Sequence, residues 1–358
     1  MIEVEVLVIG GGPAGLCAAI NAAQAGAQVL VLERHELPGG QLVKQTHMFF
    51  GSEKQYASVR GVDIAPKLID KIAKLDKINL ETQATALGIY EDGVVTAEIK
   101  GVYTHIKPKR IIVATGASEK TLVFPNNDLP GIYGAGAVQT LMNVYGVKPG
   151  NNVLMVGAGN IGLIVSYQLA QAGVKIKAII DAAPKIGGYL VHAAKVQRMG
   201  IPILTGYTVK EAVGTDCIQK AVIVKLDENW QPVEGTEIEY EVDVMCIAVG
   251  LSPLAELLWQ AGCDMKYISE LSGFVPVRTK MLETSVKGMY VAGDVCGVEE
   301  ATSAMVEGYL AGLAAAESLG YKNEIMAEKR QDYIDQLEAL RGGHIGKKIL
   351  SGLKKVTI

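Results

Sequence analysis

The sequence predicts an α/β chain made of two parallel-sheet units of one plan, each three layers deep, with the second unit inserted into the first. Three observations predict it. VLVIGGGPAG (Val6–Gly15) joins a continuous apolar run to a glycine-rich turn, and VLMVGAGNIG (Val153–Gly162) repeats that join in mid-chain. Each is followed by a helical stretch and a second apolar run ending in a carboxylate, Glu33 and Asp181. A last short apolar run, GMYVAGD (Gly288–Asp294), has no place in the second unit and is assigned back to the first.

The elements follow in order. Val4 to Ile9 forms the first strand, almost unbroken in apolar character from Val6, as suits a parallel strand covered on both faces. Gly10-Gly11-Gly12-Pro13-Ala14-Gly15 turns the chain into the small-residue helix GLCAAINAAQAG, and QVLVLE returns as a strand ending in Glu33. Strand, turn, helix and strand, with an acid about 20 residues on, are the context that a dinucleotide-binding fingerprint requires. Gly10 makes the tight turn, Gly12 lets backbone approach a pyrophosphate, and Gly15 lets helix and strand pack closely. The helix start offers N–H groups and positive dipole to phosphate, and Glu33 can accept hydrogen bonds from ribose hydroxyls.

In the second unit NVLMV leads into Gly157-Ala158-Gly159-Asn160-Ile161-Gly162, the helix LIVSYQLAQAG and the strand KIKAIID, ending in Asp181. The likeness continues in RHELPGGQL and AAPKIGGYL, which puts Gly39-Gly40 and Gly187-Gly188 in equivalent places. Each unit then carries a small antiparallel β insertion, closing on an apolar strand that runs into Gly116 or Gly250. GIYGAGAVQT holds another glycine pair, Gly134 and Gly136; with no apolar strand before it, it reads as the start of a helix. After GMYVAGD a small-residue helix is expected from about Ala301 to Ser318. The plan is two Rossmann-like dinucleotide-binding domains: a discontinuous first domain, 1–118 plus 251–322, and a second, 119–250, with a helical tail, 323–358.

Bulk properties agree. A length of 358 residues gives two or three domains and ample core. The net charge of −4 is mixed in sign, so nucleic acid is not an expected partner. No apolar run is long and clean enough to span a bilayer, and no signal segment precedes the first strand, so a cytoplasmic location is expected. Cys17, Cys217, Cys246, Cys263 and Cys296 never form a Cys-x-x-Cys pair, so neither a disulfide framework nor a metal site is expected.

In order and approximate spacing, VLVIGGGPAG, PGGQL, IIVATGA, VLMVGAGNIG, CIAVGLSP and GMYVAGD resemble the pyridine nucleotide–disulfide oxidoreductases, flavoproteins with two dinucleotide-binding domains. Within them the chain is most similar to the thioredoxin reductase-like branch. The resemblance implies FAD in the first domain. Gly10, Gly12, Pro13, Ala14 and Gly15 would meet its pyrophosphate, and Glu33, with Arg34 beside it, the adenosine ribose. Gly40 and Gln41 would approach the flavin and Asp294 the ribitol chain, with Thr115, Gly116, Gly293 and Ala301 completing the site. It implies a nicotinamide nucleotide, NAD(H), at Gly157, Gly159, Asn160, Ile161, Gly162, Asp181 and Gly250. Two sites would let one chain bring a hydride donor up to a flavin. Asp181 repels a 2′-phosphate, and Ala182-Ala183-Pro184 supplies no arginine to receive one, so NADH is expected over NADPH.

One departure decides the chemistry. Disulfide reductases of this branch carry Cys-x-x-Cys near the stretch that reads GIYGAGAVQTLMN here, and the other branch near PGGQLVKQTHMFF; neither stretch has a cysteine. The acceptor therefore takes electrons from the flavin directly, without a thiol relay, or the flow runs the other way. Cys296 is the one thiol expected near the flavin, as a redox group or as a small packing residue. Lys44 could stabilise charge on reduced flavin and His47 could act as acid or base; the plainer reading makes both loop residues facing water. Cys17 and Cys246 are expected in the core, and His105 and His192 at surface or cap positions.

The tail NEIMAEKRQDYIDQLEALR has helical spacing of Ile325, Tyr333, Ile334, Leu337 and Leu340. It suits a helix packed on the body or a docking surface for another protein. The tail and GGYLVHAAKVQRMGIPIL also resemble the FAD subunits of bacterial amine, opine and glycine-oxidising complexes, where such a chain works beside a second flavoprotein. The first reading is an FAD-dependent NADH oxidoreductase with a non-thiol small-molecule or protein acceptor. The second is an electron-transfer FAD subunit of an amino-acid or amine dehydrogenase complex, beside a second flavoprotein or an iron–sulfur subunit. The third is a non-enzymatic flavin-binding component of an assembly or a sensor. In each case a homo- or hetero-oligomer is expected.

Overall fold

The apolar run that opens the sequence becomes the strand Ile2–Ile9, and its residues alternate between two covers. Val6 and Val8 pack with Ala14, Ala18, Leu310 and Ala314, while Leu7 and Ile9 pack with Ile106, Val113 and Val291. A strand apolar on both faces thus makes the middle of three layers. The computed structural model describes residues 1–322 and 324–358, and residue 323, where the tail was expected to begin, lies outside the described residues. The chain divides into two compact units, Met1–Ser118 with Ser252–Ile358, and Glu119–Leu251.

Among the described residues the first unit holds a seven-stranded sheet, in the order Ile78–Glu81, Val29–Leu32, Ile2–Ile9, Val102–Val113, Val95–Ile99, Ala84–Ile89, with Met289–Val291 also on Val102–Val113. Val102–Val113 serves two partners. Its first residues pair antiparallel with Val95–Ile99, and Ile111–Val113 pair parallel with Met289–Val291. The antiparallel insertion is therefore continuous with the parallel sheet. The helix Pro13–Ala25 lies against Ala301–Ser318, whose bounds are those expected. A Cβ on Gly308 would sit 2.1 Å from the Ala14 carbonyl oxygen, and one on Gly312 2.1 Å from that of Ala18. Residues i and i+4 share a helix face, so this glycine pair lets the two backbones touch.

The helices Glu324–Leu340 and His344–Leu353 belong to the first unit. Leu337 is buried, but Ile325 is exposed and Met326 takes the inward place. Ile349, Leu353 and Val356 pack on Ile268, Leu271 and Val275.

Among the described residues the second unit holds a five-stranded parallel sheet, in the order Ile203–Thr205, Lys175–Asp181, Asn152–Val156, Val244–Ile247, Ile132–Gly134. Val153, Met155 and Cys246 face one cover, and Leu154, Val156 and Met245 the other. The insertion is a separate antiparallel sheet of Tyr207–Gly214, Ile218–Lys225 and Ile238–Glu241. Two details differ from expectation. A strand does precede the helix Ala135–Asn143, but Ile132–Gly134 is too short to read as an apolar run. Tyr207–Gly214 joins the insertion although it lies before the expected stretch. The α/β plan with two Rossmann-like sheets and antiparallel insertions stands. Among the described residues no helix is long and apolar enough to cross a membrane.

Candidate functional site

The first unit's glycine turn is fixed by backbone sterics. Gly10 has φ +112°, and a Cβ there would lie 2.3 Å from the Ala114 carbonyl oxygen. A Cβ on Gly15 would lie 1.8 Å from the Gly10 oxygen. Gly12 differs: its backbone suits any residue, and its Cβ would meet only Gly40 Cα, at 3.8 Å. Gly12 leads into the helix Pro13–Ala25 with no side-chain cap, leaving the first N–H groups for a ligand. Gly39 N–H donates to the Gly11 oxygen at 2.7 Å, which folds Gly39-Gly40 down onto the turn.

Glu33 is buried at the end of Val29–Leu32. Its Oε2 accepts from Gly11 N–H at 2.8 Å and its Oε1 from His35 N–H at 2.8 Å. Arg34 is exposed, with Nε donating to His35 Nε2 at 3.1 Å, and Gln41 is also exposed. Thr115 Oγ1 donates to the Leu254 oxygen at 2.7 Å, and Gly116 accepts from Leu254 N–H at 3.0 Å.

The second unit repeats the device. Gly157 has φ +114°, and its Cβ would lie 2.3 Å from the Ala248 oxygen; a Cβ on Gly162 would lie 2.0 Å from the Gly157 oxygen. Among the described residues nothing comes within 4 Å of a Cβ on Gly159. Asp181 Oδ2 accepts from Ala158 N–H at 2.7 Å and Oδ1 from Ala183 N–H at 2.8 Å. Gly188 N–H donates to the Ala158 oxygen at 3.0 Å, and Asn160 Oδ1 accepts from Tyr189 N–H at 2.8 Å. Ile161 is exposed at the helix start, and Gly250, φ +114°, ends the run after Val244–Ile247.

The strand Met289–Val291 brings a third piece to the first turn. Gly293, φ +77°, would place a Cβ 2.9 Å from Ala14 Cβ, so Gly293-Asp294 lies beside the start of Pro13–Ala25. Asp294 Oδ1 accepts from Glu299 N–H at 3.3 Å. Burial, with Glu307, Glu299 and Glu300 adding negative charge nearby, pushes its carboxyl up to about 7. Ala301 opens the next helix behind the exposed Glu300.

The remaining expected residues fall differently. Cys296 Sγ donates to the Gly293 oxygen at 3.1 Å and to Glu307 Oε2 at 3.5 Å. Burial pushes this thiol well above its ordinary value. Buried and hydrogen-bonded in this way, the thiol suits the packing role. Lys44 closes the short 3₁₀ turn Gly40–Lys44 and is half-buried. His47 is half-buried and stacked on Phe49, ring centroids 5.8 Å apart. Cys17 and Cys246 are core residues and His105 is exposed. His192, expected at a surface or cap position on a helix start, lies in the first turn of the helix Leu190–Arg198 and is buried, where burial lowers its basicity.

Sequence reasoning missed the charged residues behind Asp294. Glu307, Arg278, Arg341 and Glu299 form an ion cluster within the first unit. One signal was present: Glu307 is the acid in the middle of the small-residue helix Ala301–Ser318, whose other acid, Glu317, lies in its last turn, and a buried carboxylate must be paired. Among the described residues no group of three His, Cys, Asp or Glu side chains could hold a metal.

The two turns fit dinucleotides: each has an open glycine at a helix start and a carboxylate at the next strand end. The pyridine nucleotide-disulphide oxidoreductase family matches residues 4–308, and the chain belongs to it. As a member it carries sites for FAD and NAD(H), and its sequence has no Cys-x-x-Cys pair. It is similar to the alpha subunit of the sarcosine oxidase of Corynebacterium sp. (strain P-1), 28% identical over 339 residues that cover 90% of this chain and 33% of that one. It is likewise similar to the A component of the opine oxidase of Agrobacterium tumefaciens (strain Ach5), 28% identical over 345 residues, covering 88% and 66%. The chain thus spans about a third of the first relative and about two thirds of the second. In fold it is similar to the thioredoxin reductase of T. acidophilum, with a TM-score of 0.73, 22% identity, and coverage of 89% and 99%.

Proposed function

We propose that the chain is the FAD-carrying electron-transfer subunit of a multi-subunit complex that oxidises a secondary amine or N-substituted amino acid beside a second flavoprotein or an iron–sulfur protein. The observation that carries this reading is that relatives named as subunits of sarcosine oxidase and opine oxidase align with most of a chain lacking the thiol pair. Oxidising such an amine to an imine removes two electrons and two protons, and FAD, when bound, supplies that capacity.

The chain's own residues bind and orient. With FAD bound, N–H groups at the start of Pro13–Ala25 would meet the pyrophosphate over Gly12, Glu33 would accept from the adenosine ribose, and Asp294 from the ribitol chain. Half-buried Lys44, last in the 3₁₀ turn, and His47, just past it, are the groups that would meet charge or a proton at the flavin. In the second unit Gly159 leaves room for a pyrophosphate, and Asp181 selects NADH over NADPH.

Anaerobic flavin bleaching tests the reading. The chain is purified alone and with any protein that co-purifies, then mixed with NADH, NADPH or an N-methyl amino acid. A stable partner is expected, with bleaching by the amino acid in the complex only. Rapid bleaching of the isolated chain by NADH, with no partner retained, would replace this reading with a free-standing NADH oxidoreductase. Asp181 at the ribose position is what favours that second reading.

A further inference from the structure

The tail enters the first unit as a source of charge. Just after the helix Glu324–Leu340, Arg341 turns inward. Its Nε donates to Glu299 Oε2 at 2.9 Å, and its Nη2 to Glu299 Oε1 and Glu307 Oε1, both at 2.7 Å. Arg278 donates to the same Glu307 Oε1 from Nη1 and Nη2, each at 3.1 Å. The other Glu307 oxygen accepts from Gly293 N–H at 3.0 Å. The end of the chain holds Arg278 by its backbone: Arg278 N–H donates to the Val356 oxygen at 2.9 Å, and Ile358 N–H to the Arg278 oxygen at 3.0 Å.

All four charged side chains are at most 9% exposed. A buried ion cluster is expensive to desolvate and is weak evidence for stability by itself. Its position is informative. Two cations balance two carboxylates directly behind Asp294, and the cluster grips Gly293, whose left-handed backbone aims that aspartate. Burial pushes Glu307 up, and Arg278 and Arg341 together outweigh it, so this carboxyl is held below its ordinary value.

We propose that Arg341 is a positioning residue for the dinucleotide site of the first unit: it neutralises Glu299 and Glu307 so that Glu307 holds Gly293-Asp294 in the conformation that receives the ribitol chain of FAD. The tail is then a working part of that site. The inference rests on FAD lying in the first unit and is independent of any partner protein. The groups facing Asp294 are Glu299, Glu300 and Glu307, with Arg278, Arg341 and Cys296 behind them. Without Arg341, the buried acids face Arg278 alone. Their repulsion grows as pH rises and they ionise.

The test uses the full chain as Arg341→Met, Arg341→Lys, Glu299→Gln and the double variant Arg341→Met/Glu299→Gln. FAD affinity is measured by flavin fluorescence at pH 6 and pH 8, with thermal unfolding of the FAD-free protein alongside. Arg341→Met is expected to weaken FAD binding about tenfold at pH 8 and clearly less at pH 6. Arg341→Lys recovers part of the loss. The double variant, with one cation and one acid fewer, returns to within about threefold of the unsubstituted chain at both pH values. Unchanged affinity in Arg341→Met overturns the proposal. So does a loss that is equal at both pH values and is not restored by Glu299→Gln, which would make Arg341 a packing residue. If Arg341→Met does not fold, Arg341→Lys with and without Glu299→Gln carries the same comparison. An unsubstituted chain that takes up no FAD overturns the FAD assignment instead.

Discussion

The turns at Gly10–Gly15 and Gly157–Gly162 use the same parts in different surroundings. Each has a left-handed glycine under a carbonyl oxygen, an open glycine at a helix start, and a carboxylate holding the N–H between them. Around the first turn the structure closes in. Glu33 is buried, Gly293-Asp294 flanks the helix start, and the 18-residue helix Ala301–Ser318 lies along Pro13–Ala25. Around the second, Asp181 is half-buried and the neighbouring helices, Ala135–Asn143 and Leu190–Arg198, are nine residues each. The strand of that unit placed as Met289–Val291 is in the first, Ile132–Gly134 beside Val244–Ile247, ends in Gly134-Ala135 and carries no carboxylate there. One fingerprint thus occurs in an enclosed form, suited to a ligand that is kept, and in an open form, suited to one that exchanges.

The shared backbone geometry can be broken first, and at the largest scale. Gly15→Ala and Gly162→Ala each force a methyl to within about 2 Å of a carbonyl oxygen in the tight turn. Neither oxygen can swing away as a side chain would. Each substitution is expected to cost about 3 kcal/mol or more, read as loss of soluble protein or as a drop of several degrees in the melting temperature. If only one of the pair is damaging, the two turns are not equivalent.

The enclosed site should also show a conflict between binding and stability. The Asp294 carboxyl sits at about 7 in the folded chain, against about 3.9 when unfolded. Between those values the folded chain keeps a proton that the unfolded chain has released. The stability from this group is therefore full below about pH 4 and is lost as pH rises through 7. Asp294→Asn removes the loss. The FAD-free variant is expected to gain of order 1–2 kcal/mol at pH 8 and nothing at pH 4, while FAD retention falls. A variant that loses both at pH 8 would show that Asp294 is held as a structural acid.

Much of this was legible in sequence because it is local. Glycine spacing, an apolar run and a carboxylate at a strand end are requirements of consecutive backbone, so both turns and the helix Ala301–Ser318 could be read directly. What could not be read is long-range. Glu307 meets Arg278 across 29 positions and Arg341 across 34, and no periodicity links them. Cys296 could be placed near the site, but not its bond to a buried carboxylate. At the tail the apolar spacing put Ile325 on the inward face, and packing turned Met326 inward instead.

Asp181 tests the open site at intermediate scale. Asp181→Ala removes the ribose acceptor and frees the N–H groups of Ala158 and Ala183. The KM for NADH is expected to rise about tenfold, with FAD content unchanged and preference over NADPH reduced. Equal losses of both cofactors would show that the two turns are not separate sites.

The finest comparison uses the two open glycines, because the folded chain does not need them. Gly12 has φ −79° and Gly159 φ −74°, values that any residue adopts. A methyl at Gly12 would meet Gly40 Cα at an ordinary 3.8 Å, and among the described residues a methyl at Gly159 meets nothing within 4 Å. Gly12→Ala and Gly159→Ala should therefore leave stability within about 0.5 kcal/mol, unlike their neighbours at 15 and 162. The added methyl can be felt only by a ligand whose phosphates approach the bare backbone. FAD retention is expected to fall in Gly12→Ala, and the KM for NADH to rise about threefold or more in Gly159→Ala, with melting temperatures unchanged. An unaltered KM at Gly159→Ala would mean that the open turn keeps the fold of a nucleotide site without its ligand, and the likeness between the two turns would then be one of ancestry in backbone geometry alone.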